Sequence, residues 1–418
     1  MKTLIQDALI IDPKSSFHNK RASIYVNNGK IKDVAREIRV DDDTKLVKGV
    51  DLMVTPTFFD AFVSFGEPGF EDRETLQNGL NAAAKGGFGD IILQSTTYPD
   101  LDHSSIIHQL QDKFKDESCH LHLSAALTKA KKGKDLCEIY ELDEQGVKGF
   151  SDVFNTIDDA NLLKLALLYS QKVDQPIFSF PLDPQLADQA LVHENLDTYS
   201  LGLRSMPAMA EEVRLERDIA ILAYTGGRLH IPAISTKGSV AIIKKAKADG
   251  LQVTCGAAIH NICHTTKALQ GFDTSFKVLP VLRDEDDRSA IIEGLRTGVI
   301  DMVSSVHYPR TIEEKDCEFE QAEIGSLGLE SCFGMLLKHF DIPTSVELLT
   351  RGRNIFNIDR SPIEKGAPAS MACFDRNEKT RIKASELISK AKNSMFLGEE
   401  LDIKIKATFN HNNINIYG

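Results

Sequence analysis

The spacing of apolar residues divides the chain into two kinds of territory. Near the N-terminus, residues 8–11, 22–26 and 30–34 are short apolar or partly alternating runs of strand type, and Asn28-Gly29 joins the last two as a hairpin signal. The far end answers in kind. Residues 370–375 read as a strand, residues 401–409 alternate partly at period two, and after a turn near His411-Asn412-Asn413 the chain returns through residues 414–417. Neither terminal group can bury a face alone. The pattern therefore predicts one discontinuous β domain, a small β-sandwich built from residues 1–54 and 362–418.

Between these ends, strand-like and helix-like patterns alternate. Apolar runs at 52–54, 91–94, 120–125, 147–150, 176–180, 229–231, 251–255 and 299–303 are separated by helical periodicity at 73–85, 160–171, 211–222, 239–247 and 288–297. Repeated strand–helix units over residues 55–361 predict an α/β fold with parallel strands, specifically a (β/α)8 TIM-like barrel. The alternative, an open doubly wound sheet binding a dinucleotide, lacks a Gly-x-Gly-x-x-Gly run after a strand.

Composition narrows the company the chain keeps. At 418 residues it can bury a large core, and a net charge of −12 disfavours nucleic acid or anionic membrane as a main partner. No apolar stretch approaches the ~18 residues of a membrane span. The first residues, Met1-Lys2-Thr3-Leu4-Ile5-Gln6-Asp7, carry an acid where a secretion signal needs an apolar run. Seven cysteines without a Cys-x-x-Cys pair fit a reduced, cytoplasmic protein. The basic run 129–134 reads as a solvated loop.

Candidate chemistry begins at Thr55-Pro56-Thr57-Phe58-Phe59-Asp60-Ala61-Phe62-Val63-Ser64-Phe65-Gly66-Glu67-Pro68-Gly69, a strand running into a loop. This stretch resembles the signature of the dihydroorotases, Pro-Gly-Phe-(Ile/Val)-Asp-x-His-(Val/Leu)-His-(Leu/Phe)-Arg-Glu-Pro-Gly. Asp60, Glu67, Pro68 and Gly69 match; Phe62 and Ser64 stand at the two histidine positions and Gly66 at the arginine. The resemblance continues along nearly the whole chain. Phe180-Pro181-Leu182-Asp183 stands for His-Ala-Glu-Asp, and Leu229-His230-Ile231-Pro232-Ala233 for Leu-His-Ile-(Ala/Cys)-His. Ser305-Val306-His307 stands for Thr-Asp-His. Thr96 and Leu279 take the places of two substrate-binding asparagines, while Asp60, Asp152, His260 and His307 are family residues retained.

What the resemblance implies is a binuclear zinc hydrolase of cyclic amides in pyrimidine biosynthesis, whose metal-ligand positions here carry Phe62, Ser64, Phe180, Ala233 and Val306. Zinc needs three or four N, O or S donors at close range. The expectation is therefore no metal and no cofactor, and a non-catalytic dihydroorotase homologue. By resemblance its partners would be aspartate carbamoyltransferase, an active dihydroorotase paralogue, or further copies of itself as a homo-oligomer. One alternative is an active cyclic amidohydrolase with a site rebuilt around His120, His122, Asp152 and His260, since His-x-His on a strand puts both rings on one face. A third reading is a small-metabolite binder. Asp152 reads more simply as a hydrogen-bonded buried acid, His260 and His307 as groups retained for packing, and His120 with His122 as structural.

Overall fold

In the computed structural model, which describes residues 1–417, strands from both ends of the chain share one sheet. Its order is Asn413–Ile416, Lys404–Asn410, Ser370–Asp375, Leu52–Pro56, Lys2–Ile10, Arg21–Asn27, Lys30–Ala35, with Lys45–Val47 also paired to Lys2–Ile10. Leu52–Pro56 is the join. It runs antiparallel to Ser370–Asp375, from Met371 opposite Pro56 to Asp375 opposite Leu52, and parallel to Lys2–Ile10. One apolar cluster closes the domain, with Ile5, Ile24, Val54, Met371 and Phe409 all inside it. The Asn28-Gly29 hairpin has positive φ at both residues, 48° and 70°, as a two-residue turn matched to strand twist requires.

Two strand limits differ from the sequence pattern, each for a local reason. The first strand begins at Lys2 rather than residue 8, because an irregularity between Ile5 and Ala8 interrupts the alternation at exposed Gln6-Asp7. The run 401–409 is divided. Glu400–Leu401 pairs with Thr380–Arg381, and only Lys404–Asn410 joins the large sheet.

The middle of the chain closes into a ring of parallel strands. The first three, Phe58–Val63, Phe88–Leu93 and His120–Leu123, form one ladder. The fourth is reduced to Phe150, which bridges Ala125 and Ile177. Ile177–Phe178, Leu229–Ile231, Val253–Ala258 and Met302–Ser304 follow as strands five to eight. Asp60 fastens the eighth strand to the first: its carboxylate accepts from Ser304 Oγ at 2.5 Å and Ser305 N at 2.7 Å, while Ser64 N donates to His307 O at 2.9 Å. This is the (β/α)8 barrel, with the small β domain at its side.

Alternation along these strands builds two apolar layers. Ile91, Leu123, Ile177, Leu229 and Ile231 point outward into the core shared with the helices. Phe59, Ile92, Phe178, Ala258 and Met302 point inward and pack with Phe356 as a separate cluster filling the barrel. The surrounding helices include Leu76–Lys85, Ala160–Val173, Met209–Thr225, Lys237–Ala248 and Glu285–Arg296. Four of these five starts are fixed by side-chain caps: Thr75, Asp159, Thr236 and Asp284 each accept from a backbone N–H of the first turn, whereas Met209–Thr225 starts without one. Ser104–Lys113 is a helix that the apolar pattern does not announce, because only Ile107 and Leu110 of its ten residues are buried. No helix among the described residues is long and apolar enough to cross a membrane.

Candidate functional site

The C-terminal ends of the barrel strands form the mouth, and an aromatic plug fills its floor. Phe154 packs edge-on against Phe62 and Phe180, with ring centroids 5.4 and 5.1 Å away, and stacks on Tyr308 at 5.7 Å. Phe62, Ala233 and Val306 belong to the inner cluster, so the barrel's apolar filling continues upward to Phe154 without a polar gap. Val153 and Val306 hold this packing with left-handed φ of 59° and 45°, a conformation that β-branched residues rarely adopt. Ser64 is buried beside them.

Above the plug is a cleft of about 530 Å³ lined in part by Thr96, Leu279, Arg73, Lys131 and Arg310. Its cations are already paired: Lys131 with Asp100 at 2.7 Å, Arg73 with Glu314 at 2.5 Å, and Arg310 with Glu314 at 3.2 Å. The Thr96 hydroxyl is buried without a hydrogen-bond partner among the described residues. Gly66 has φ +136°, and a Cβ there would lie 2.6 Å from Phe70 O. The backbone has closed over the place an arginine side chain would leave from.

The retained polar residues all have structural partners. Asp60 is the barrel fastener described above, and burial raises its carboxyl pKa. Asp152 accepts from Leu127 N and Thr128 N, both at 2.9 Å, and from the Thr128 hydroxyl; burial raises it too. His260 Nε2 donates to Pro280 O at 3.0 Å, and His307 Nδ1 accepts from Gly328 N and Leu329 N at 3.3 and 3.4 Å. His230 lies against Phe178 and Phe356 and meets Thr254 Oγ1 at 2.9 Å. Burial lowers His230, His260 and His307 to about 3, so all three are neutral imidazoles at ordinary pH.

His120 and His122 lie elsewhere. Asp90 pairs in register with His120 at the start of the second and third strands, at the opposite end of the barrel from the mouth. His120 Nδ1 and His122 Nε2 meet Asp90 Oδ1 at 3.3 and 3.0 Å, and Arg353, which is 2% exposed, donates to Asp90 Oδ2 at 2.7 Å. Burial alone would push the Asp90 carboxyl up, but the two histidines and the Arg353 charge hold it well below the usual range. A site rebuilt around His120, His122, Asp152 and His260 is therefore not assembled. Sequence reasoning passed over Phe154, Asp90 and Arg353. Only Phe154 carried a signal, as a bulky aromatic directly after Ser151-Asp152-Val153.

A model of the "Dihydro-orotase-like" family matches residues 52–239. Dihydroorotase from Geotalea daltonii is 34% identical over 408 residues, covering 96% of both chains, and that from Caldicellulosiruptor saccharolyticus is 35% identical, covering 95% of this chain and 94% of its own. The chain belongs to the dihydroorotase family. In fold it resembles L-hydantoinase (dihydropyrimidinase) from Arthrobacter aurescens, with a TM-score of 0.83 at 19% identity over 100% of this chain and 97% of that one. D-hydantoinase from a Thermus species gives 0.81 at 18%, covering 100% and 96%.

For a dihydroorotase-family chain, the donor set at this mouth does not fit a binuclear metal centre: Phe62, Phe180, Ala233 and Val306 offer no ligand atom, and Asp152 and His260 are otherwise engaged. The broader expectation that the chain takes no cofactor is nevertheless corrected. Its family is one of metal-dependent amidohydrolases, and His193, Asp284 and Asp287 bring ligand-type atoms within 4.8 Å of one another outside the mouth. His193 Nε2 lies 3.8 and 3.9 Å from the two carboxylates. Burial lowers His193 to about 4 and raises Asp287 to about 6. Arg283 Nη1 donates to His193 Nδ1 at 3.0 Å, which leaves the hydrogen of the neutral ring on Nε2. A cation at this cluster would have to displace that hydrogen.

Proposed function

We propose that this dihydroorotase-family chain does not hydrolyse cyclic amides at its barrel mouth and serves pyrimidine biosynthesis as a structural or regulatory partner. The observation that carries this reading is the plug: Phe154 packed onto Phe62, Phe180 and Tyr308 occupies the floor where water activation and substrate would have to meet. Amide hydrolysis needs an activated water and a group to move its proton. The positions that resemblance assigns to those tasks carry Phe62, Ser64, Phe180, Ala233 and Val306, and the arginine and asparagine positions carry Gly66, Leu279 and Thr96. The partner is an aspartate carbamoyltransferase, an active dihydroorotase, or a further copy of this chain.

The test is an assay of dihydroorotate cyclisation and hydrolysis with zinc supplied, alongside light scattering of the chain alone and mixed with the carbamoyltransferase and active dihydroorotase of the same cell. Background turnover with a stable homo- or hetero-oligomer is the expected result. Turnover that a chelator abolishes and zinc restores would overturn the non-catalytic reading, and a strict monomer with either enzyme would overturn the partner role. The cleft of about 530 Å³ above the plug favours a second reading, a metabolite-binding chain without catalysis.

A further inference from the structure

A second cavity, of about 410 Å³, lies away from the mouth, between the flank of the barrel and the excursion of chain that separates Ser370–Asp375 from Lys404–Asn410. Phe333, Leu401 and Ile405 give it an apolar wall. Its charged lining is Lys85, Arg381, Lys383 and Lys404 against Glu330 and Glu386, a cationic excess on a chain of net charge −12. Much of that charge is committed. Lys383 pairs with Glu386 at 2.7 Å and Lys404 with Glu378 at 3.4 Å, while Glu330 accepts from Ile388 N and Ser389 N at 2.9 and 3.0 Å.

Lys85 and Arg381 are different: among the described residues neither has a carboxylate within 4.0 Å. The Lys85 ammonium rests 4.2 Å from the centroid of the Tyr417 ring, and burial lowers its pKa. Thr380, also in the wall, keeps a buried hydroxyl with no hydrogen-bond partner. A half-buried Lys85 with no carboxylate at ion-pair distance, and the exposed Arg381 on the same lining, leave cationic groups next to an apolar wall without a directly paired anion.

We propose that this cavity binds a small amphipathic carboxylate, with its head at Lys85 and Arg381 and its hydrocarbon body on Phe333, Leu401 and Ile405. The volume lies within the ~300–1,000 Å³ usual for small-molecule sites. The apolar wall selects against inorganic anions, and the unpaired cations select against neutral analogues. Because Arg381 and Leu401 belong to the excursion while Lys85 and Phe333 belong to the barrel flank, such a ligand holds one against the other.

The test titrates octanoate into the full chain by calorimetry and follows hydrogen exchange. Saturable binding is expected, with protection gained in residues 380–387 and 400–405. Lys85→Gln should weaken affinity by at least about tenfold, and octanamide or inorganic phosphate should bind more weakly than octanoate by a similar factor. Arg381→Gln, at an exposed residue, gives the same comparison if Lys85→Gln does not fold. No saturation in the millimolar range, equal binding of octanamide, protection elsewhere, or unchanged affinity in the folded variants would each overturn the proposal.

Discussion

Replacing Asp90 with Asn tests the reading of the barrel's closed end. Arg353 is buried there as a hub: it donates to Asp90 Oδ2 at 2.7 and 3.3 Å, Thr57 O at 2.8 Å, Phe58 O at 3.0 Å and Thr57 Oγ1 at 3.2 Å. It thereby ties the start of the first strand to the second. Asn keeps the shape and one acceptor but removes the only carboxylate, among the described residues, within ion-pair distance of a guanidinium 2% exposed. Breaking a buried pair from one side costs ~3–5 kcal/mol, a large share of the ~5–15 kcal/mol that holds a domain together. Asp90→Asn with Arg353→Met removes both charges, and should be more stable than Asp90→Asn alone. Urea unfolding at pH 7 followed by circular dichroism measures both.

The pH dependence gives an independent check. The folded Asp90 carboxyl is held below its unfolded value, so its contribution is present above about pH 4 and is lost as pH falls through the folded pKa. The gap between Asp90→Asn and the parent should therefore narrow in acid. An Asp90→Asn protein within about 1 kcal/mol of the parent at pH 7 would refute the hub.

Other outcomes follow from the mouth, the termini and the buried rings. Phe154→Ala should cost about 1–3 kcal/mol and open the plug to a hydrophobic dye, and an unchanged midpoint without dye binding would count against the packing. Gly66→Arg, made to restore the arginine of the family signature, should lower the melting temperature because its Cβ meets Phe70 O. Deleting residues 366–418 removes the strand paired with Leu52–Pro56 and should cause aggregation; a soluble, cooperatively folding truncation would show the ends to be independent. His230, His260 and His307 are held near 3 against an ordinary 6.5, so the stability they contribute is complete above pH 6.5 and is lost as pH falls toward 3. Each should cost ~2 kcal/mol by pH 5, and His260→Gln should remove one histidine's share of the acid slope.

The sequence is most readable where a single residue type settles the backbone. Asn28-Gly29 specified its hairpin because both positions need positive φ. Apolar runs such as 91–94 and 229–231 marked barrel strands, since parallel strands bury both faces. The fourth strand is thinner than its run 147–150 suggests, with only Phe150 bridged on both sides. At the mouth, the resemblance set Phe62, Phe180, Ala233 and Val306, side chains without a donor atom, at the family's ligand positions. The plug was not visible in the sequence, because Phe154 acts through contacts with Phe62, Phe180 and Tyr308, which lie far apart in sequence. The Asp90–Arg353 pair was hidden for the same reason, its partners standing 263 positions apart in the sequence.

The pattern of kept and altered residues has a physical logic. Asp60 fastens the eighth barrel strand to the first, Asp152 anchors the backbone at Leu127 and Thr128, and His307 receives two backbone N–H groups. Removing any of them would leave buried donors unpaired, at about 1–3 kcal/mol for each group. Histidines and an aspartate clustered at the floor of the mouth would have the opposite balance. Without a cation to share, their desolvation has no compensation, and apolar side chains at Phe62, Phe180, Ala233 and Val306 relieve it. On the resemblance, the kept residues are those with a hydrogen-bonding load, and the replaced ones are those that would depend on a metal. Asp152 illustrates the division: both of its carboxylate oxygens are held by the 127–128 backbone and the Thr128 hydroxyl, so its place in the fold needs no metal to explain it.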